Sequence, residues 1–300
     1  MNKLGKISKI QHFSLGDGPG IRTTVFMQGC NLHCPWCHNP ETIPFVGSHL
    51  CYPTKCSHCG LCENVCSQNA ISFKSGERIF SKELCKFCGD CERMCPQNAI
   101  LISGKSVSLE TVFHEIIKDV DFYEPSGGGV TFSGGEPLLQ ADFVGEVAKQ
   151  CRRNGIHTIV DTAGCVPYEN FEKVIPYTDM FFFDIKASDA VQFREWCGGN
   201  FELILSNLKR LTAVAPVTVR MPVIPDYNDN EAYMIACGRL LSECGVKHTD
   251  LIPFHRMGSS KYKGLEMEYR YENVKPPEST VLSLFQEIIT EFRIDCKIEQ

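Results

Sequence analysis

The sequence predicts an α/β protein whose core is a partial barrel of six strand–helix units, interrupted once by a cysteine-rich insert. Three observations carry this. Short β-branched or aromatic runs alternate with amphipathic stretches along most of the 300 residues, the pattern of a parallel sheet. Residues from about 46 to 105 break that alternation. Of 18 cysteines, 11 fall into three tight groups, two of them inside the interruption.

The strand runs are 21–27, 129–133, 157–161, 180–185, 217–223 and 249–253. Helical periodicity fills segments between them, such as 138–154 and 231–244. Six units of this kind predict a partial (βα)6 TIM-like barrel. Residues 1–45 and 106–300 form it, and 46–105 form the insert.

Composition sets bounds. At 43% hydrophobic and 22% charged, the chain has ordinary globular material for a sizeable core. A net charge of -6 argues against nucleic-acid binding, which needs a basic surface. No run of about 18 apolar residues exists, so no membrane span is expected. The first ten residues lack the apolar stretch of a signal peptide, so a cytoplasmic location is expected. Disulfides do not persist there, and clustered thiols hold metal. The scattered Cys51, Cys151, Cys165, Cys197, Cys237, Cys244 and Cys296 read as small buried hydrophobes.

The second and third cysteine groups repeat one another. Cys56, Cys59, Cys62 and Cys66 recur about 29 residues later as Cys85, Cys88, Cys91 and Cys95, and each run is followed by Gln-Asn-Ala-Ile. This is the spacing of bacterial two-cluster ferredoxins, in which the fourth cysteine of each run ligates the other cluster. The assignment is therefore Cys56, Cys59, Cys62 and Cys95 to one [4Fe–4S] cluster, and Cys85, Cys88, Cys91 and Cys66 to a second. The insert is thus ferredoxin-like. Ser67 stands where a proline often follows the last cysteine, but proline is not a ligand. A zinc ribbon shows two CxxC pairs rather than two runs of four.

The first group, Cys30-Asn-Leu-His-Cys34-Pro-Trp-Cys37, offers three thiolates. On a four-iron cluster this leaves one iron open, the mark of a catalytic metal site. The alternative is a zinc knuckle completed by His33 or His38.

Parallel barrels build active sites at the C-terminal ends of their strands. Cys30, Gly134-Gly135-Glu136-Pro137, Asp161-Thr162-Ala163-Gly164, Asp184-Ile185-Lys186, Arg220 and Phe254-His255 all fall at or near such ends. Singly, each has a plain reading: a turn for the glycine pair, a helix cap for a strand-end Asp.

Together, these residues resemble the radical S-adenosylmethionine superfamily. Asp17-Gly18-Pro19-Gly20-Ile21-Arg22, Cys37-His38-Asn39-Pro40-Glu41, Asp161-Thr162, Asp184-Ile185-Lys186 and Phe254-His255 resemble its glycyl-radical-enzyme activases. The two-cluster insert resembles the type that serves dehydratases, decarboxylases and carbon–nitrogen or carbon–sulfur lyases.

The resemblance implies three [4Fe–4S] clusters, the catalytic one on Cys30, Cys34 and Cys37. It implies S-adenosylmethionine cleavage to a 5′-deoxyadenosyl radical, which takes hydrogen from a glycine of a partner glycyl radical enzyme. Flavodoxin or ferredoxin is the implied electron donor. Gly134, Gly135 and Glu136 are expected near the methionyl amine, and Lys186 or Arg220 near its carboxylate. Asp161 and Asp184 are candidates for the ribose hydroxyls or a monovalent cation. Asn39 and His255 are expected near the nucleoside, with Trp36 on adenine or shielding the cluster. Asp17, Gly18, Pro19, Gly20 and Arg22 are expected to grip the glycine loop. Two other classes stay open: an electron-transfer protein with a vestigial barrel, and a radical enzyme acting on a small molecule or another peptide.

Overall fold

A computed structural model describes residues 4–299. Its strands are β1 (Leu4–Ser14), β2 (Arg22–Met27), β3 (Ser48–Cys51), β4 (Ile71–Lys74), β5 (Glu77–Phe80), β6 (Ile100–Ser103), β7 (Lys105–Ser108), β8 (Gly129–Gly134), β9 (His157–Thr162), β10 (Met180–Asp184), β11 (Val217–Val223), β12 (His248–Pro253) and β13 (Asp295–Ile298). Nine form one sheet in the order β13-β12-β11-β10-β9-β8-β2-β1-β7. All six expected runs are in it, and every pairing from β2 to β13 is parallel.

Three strands of that sheet were not expected. β1 pairs antiparallel with β2 and with β7, and two register shifts interrupt its ladder with β2. Those irregularities blur the period-2 alternation that would mark a strand in the sequence. β7 and β13 are four-residue edge strands, too short to carry a pattern. The 17–20 turn therefore joins a hairpin, β1 to β2, rather than opening the sheet.

Alternation along the central strands divides the sheet into two faces. Val25, Val130, Phe132, Val160, Phe181, Phe183, Val219 and Leu251 are fully buried in the apolar core. Helices such as Ala141–Arg153, Phe201–Thr212 and Glu231–Glu243 contribute Val144, Val147, Leu208 and Met234 to that core. Between them the other face mixes apolar Phe26, Ile159 and Phe182 with polar Thr131, Ser133, Asp161, Asp184 and Arg220. Among the described residues no helix is long and apolar enough to cross a membrane.

The cysteine-rich segment has its own small core of Cys51, Ile71, Cys91, Ile100 and Ile102. β3 pairs with β6, and β4 with β5, both antiparallel and outside the main sheet.

Candidate active site and cluster sites

β2 ends at Met27, and the chain turns at Gly29 into the loop that carries the first three cysteines. The loop folds back on itself: Gly29 N–H donates to Thr42 O at 2.7 Å and Cys30 N–H to Ile43 O at 3.1 Å. From the end of the adjacent strand β8, Gly135 N–H donates to Met27 O at 2.9 Å and Glu136 N–H to Gly29 O at 2.7 Å. The two glycines serve this contact. A Cβ on Gly134 would lie 2.6 Å from Met27 N, and one on Gly135 would lie 2.2 Å from Gly29 O. Their small size is demanded by neighbouring backbone, before any ligand is considered.

Glu136 is fully buried and its carboxylate is engaged within the protein. Oε1 accepts from Leu138 N–H at 3.0 Å and from Thr162 Oγ1 at 2.7 Å, and Oε2 accepts from Ala163 N–H at 2.9 Å. It braces the end of β8 against the end of β9. Burial raises its pKa, and the hydrogen bonds oppose that rise.

The three cysteines are half-buried. Burial pushes Cys30 up to about 12, with Glu136, Cys34 and Cys37 adding to it, and burial likewise pushes Cys37 up to about 12. Cys34 is held below the usual thiol range, first by a hydrogen bond from the Cys197 thiol and then by the charge of Lys186. Cys30 and Cys37 resist ionisation unless a metal compensates them, while Cys34 gives up its proton readily, so the donor set fits a cluster.

Charges line the polar face beside them. Lys186 Nζ donates to Asp184 Oδ2 at 2.6 Å. Burial alone would lower Lys186, but Asp184 and the Cys34 sulfur together raise it. Asp161 Oδ2 accepts from Ser133 Oγ at 2.8 Å and lies 3.6 Å from Arg220 Nη1. Burial and then Asp184 push Asp161 up to about 7. Arg220 also donates to Glu299 at 2.7 Å. Asp161 Oδ1 and Arg220 Nε are both buried without a hydrogen-bond partner. An orphaned acceptor and an orphaned donor on one charged face fit a polar ligand.

Other expected contacts are rearranged by packing. Trp36 is only 5% exposed and leans on Tyr227, with ring centroids 4.6 Å apart, as well as on Trp196 and Tyr271. It is walled in by aromatic side chains. His255 stacks on His38 at 3.9 Å, and its carbonyl accepts from His38 Nε2 at 3.0 Å. Burial holds both histidines below the usual range, His38 down to about 4. Asn39 Oδ1 accepts from Lys261 Nζ at 2.6 Å, and the same ammonium reaches Glu41 Oε1 at 2.6 Å. Tyr262 donates to Cys37 O at 3.0 Å.

The 17–20 turn sits at the opposite end of β2 from Cys30. Asp17 Oδ2 accepts from Ser14 Oγ and Thr24 Oγ1, both at 2.7 Å. Leu15, Gly18 and Pro19 border a groove with Phe182, Thr218, Asp250 and Glu299, on the side of the sheet that carries Arg220. Arg22 departs from expectation. It is fully buried and donates to Thr131 Oγ1 at 2.7 Å, Val130 O at 2.6 Å and Pro19 O at 3.2 Å. It anchors the turn from below and has no surface to offer a partner.

The insert repeats its geometry as it repeats its sequence. Left-handed backbone at His58, Gly60 and Asn69 recurs at Phe87, Gly89 and Asn98. Short helices Leu61–Val65 and Asp90–Arg93 correspond. Ala70 N–H points at Cys66 Sγ, and Ala99 N–H at Cys95 Sγ, each at 3.3 Å. One cavity is lined by Cys66, Cys85, Cys88 and Cys91 together, the four assigned to the second cluster. All seven scattered cysteines are buried.

Sequence reasoning missed Cys197, Ser133, Lys261, Tyr262 and Glu299. Ser133 had a signal, since it alternates with Phe132 just before the glycine pair. Lys261 lies 222 residues from Asn39, so no local pattern reveals the contact.

Comparison with known proteins agrees with this arrangement. The Radical SAM superfamily model matches residues 82–236, and a 4Fe-4S dicluster domain matches 55–99. The chain is 40% identical over 281 residues to the (2S)-3-sulfopropanediol dehydratase activating enzyme of Klebsiella oxytoca, covering 90% of this chain and 88% of that one. It is 39% identical to the benzylsuccinate synthase activating enzyme of Thauera aromatica, covering 95% and 89%. It is 37% identical to the trans-4-hydroxy-L-proline dehydratase activating enzyme of Clostridioides difficile, covering 99% of each. Among solved structures, a radical SAM methyltransferase from Sphaerobacter thermophilus shares the fold at TM-score 0.52 and 13% identity, covering 72% of this chain and 62% of that one. The chain belongs to the radical SAM superfamily and, within it, to the activating enzymes of glycyl radical enzymes.

Proposed function

We propose that this enzyme cleaves S-adenosylmethionine at Cys30, Cys34 and Cys37 and directs the resulting radical to a glycine Cα of a partner glycyl radical enzyme. One observation carries the reading: the three-cysteine loop shares a strand-end face with Lys186–Asp184 and with the orphaned Asp161 Oδ1 and Arg220 Nε. When bound, the cluster supplies the electron that breaks the sulfonium's carbon–sulfur bond. Lys186 and Arg220 would face the methionyl carboxylate. Asp161 and Asp184 would face the ribose hydroxyls, or a small cation that displaces Lys186 and Arg220 from them. His255 and Asn39, beside the loop, would flank the nucleoside, and Trp36 would shield the cluster. Gly134, Gly135 and Glu136 would set the loop's position.

The sheet is read as a partial barrel (1–45 and 106–300) and residues 46–105 as a ferredoxin-like insert. The insert would hold two further [4Fe–4S] clusters, one on Cys56, Cys59, Cys62 and Cys95, the other on Cys66, Cys85, Cys88 and Cys91. The duplicated backbone and the four-cysteine cavity support this. Flavodoxin or ferredoxin would supply electrons to it. The partner is of the dehydratase, decarboxylase, or carbon–nitrogen or carbon–sulfur lyase type. Similarity to dehydratase, decarboxylase and sulfite-lyase activating enzymes at 40%, 33% and 38% identity supports this range.

Asp17, Gly18, Pro19 and Gly20 would receive the partner's glycine loop, which would then enter along the groove beside Phe182 and Thr218 toward Arg220. The test is electron paramagnetic resonance of candidate partners after anaerobic incubation with enzyme, reductant and S-adenosylmethionine. A glycyl doublet on one of them is the expected result. Asp17→Ala should bind and slowly cleave S-adenosylmethionine yet yield little doublet. A wild-type doublet would remove the turn from recognition, and loss of cleavage as well would make the turn structural.

A further inference from the structure

β4 and β5 form a hairpin between the two halves of the insert, and Arg78 on β5 is its half-buried cation. Its surroundings are unusual for a surface arginine. The guanidinium lies over the Phe80 ring, 5.7 Å from the centroid. Nη2 donates to His49 Nε2 at 2.9 Å, and His49 in turn stacks on Phe80 at 4.2 Å. Burial and Arg78 together push His49 down to about 3, so its ring is neutral and free to accept. His49 and Phe80 both line the cavity of Cys66, Cys85, Cys88 and Cys91. On the other side the charge of Arg78 acts on Cys62, of the first cysteine set, which packs with Phe80 against the insert's own core. Its charge acts on Cys85 and Cys91 of the second set as well. Nε is buried with no partner.

We propose that Arg78 is a positioning residue shared by the two insert clusters, a fixed cation that makes both of them easier to reduce. The inference rests on the two-cluster reading above. Each cluster takes one electron from the external donor and gains one negative charge. A cation held beside the sulfurs favours that reduced form, as do hydrogen bonds to the sulfurs. Arginine suits the place because it keeps its charge at any working pH. The ring of Phe80 and the imidazole of His49 hold the fork in place between the two sets.

The test is anaerobic redox titration of the reconstituted holoenzyme, followed by electron paramagnetic resonance, with iron analysis of each variant. Arg78→Gln should keep the wild-type iron content. Its insert clusters should be at least tenfold harder to reduce, a fall of about 59 mV for a one-electron couple. The cluster on Cys30, Cys34 and Cys37 should titrate as in the wild type, and Arg78→Lys should restore the insert potentials. Wild-type insert potentials in Arg78→Gln would overturn the proposal. If that variant loses iron instead, Arg78→Lys decides. Full iron at wild-type potentials upholds the role of charge, whereas lost iron or lowered potentials in the lysine variant overturn it. Wild-type enzyme that holds only about four irons would sink the two-cluster reading itself, a result visible before any variant is made.

Discussion

The loop carrying Cys30, Cys34 and Cys37 and the insert carrying eight further cysteines hold sulfur in opposite ways. The loop's cysteines lie within eight residues, yet their setting is borrowed from far along the chain. Glu136 N–H holds Gly29, Cys197 helps hold the Cys34 thiol low, and Tyr262 donates to the Cys37 carbonyl. The insert's sulfurs are served from within the insert. Ala70 N–H reaches Cys66 and Ala99 N–H reaches Cys95, four residues away in each case, and the segment has its own core. Exposure differs too, since Cys59 and Cys88 are exposed while the loop's three are half-buried. On the proposed function, the insert would relay electrons from outside through such an exposed edge, and the loop would generate the radical among partners from several strands.

The harshest test of this division is Cys34→Ala. Cleavage of S-adenosylmethionine should be abolished, and iron should fall from about twelve to about eight per chain, with the insert signals kept. Cleavage that survives would place the chemistry elsewhere. Cys88→Ala should act on the other region alone. Turnover with a flavodoxin or ferredoxin donor should fall at least tenfold, while a strong artificial reductant restores cleavage. If the artificial reductant fails although the insert remains folded by circular dichroism, the insert does more than relay electrons.

Smaller effects sharpen the picture of the charged face. Lys186→Ala should weaken S-adenosylmethionine binding roughly tenfold to a hundredfold, the range for a lost hydrogen bond to a charged group. Equilibrium dialysis on cluster-loaded protein reads it, and unchanged affinity would reduce the Lys186–Asp184 pair to a scaffold. The mildest effect is on pH. Burial and Asp184 raise Asp161 from 3.8 to about 7, so the folded state binds its proton more tightly than the unfolded state. Its contribution to stability is therefore greatest below the unfolded pKa and declines as pH rises from about 4 to about 7, then levels off. Asp161→Asn should remove that slope in anaerobic denaturation of the ligand-free enzyme. A slope shared equally by both proteins would assign the titration to another group.

Much of this was legible in residue order because it depends on local spacing. The strands at 217–223 and 129–133, the helix at 231–244 and the duplicated cysteine runs each announce themselves by period or repeat, and the structure places them within a residue or so. β1 stayed hidden because its register shifts break the alternation, and β7 and β13 because four residues carry no period. Arg22 was misread for a different reason. Its place in a turn motif suggested exposure, whereas β8 and β9 close over it and satisfy its donors with Thr131, Val130 and His157.

By itself the sequence determined the class of chemistry: which thiols are grouped, how many sets they form, and which strand ends carry charge. Ligand spacing and side-chain alternation are properties of neighbouring residues, and they hold wherever the chain goes. Only the tertiary structure decided what each charged group is free to do. Glu136 is spent on Thr162 and Ala163, Trp36 is enclosed by Tyr227, and Asp161 and Arg220 keep one unmatched atom apiece. Those outcomes depend on contacts across as many as 222 residues, as between Asn39 and Lys261. Desolvation and hydrogen-bond satisfaction are set by whichever elements close over a group, and no local pattern encodes them.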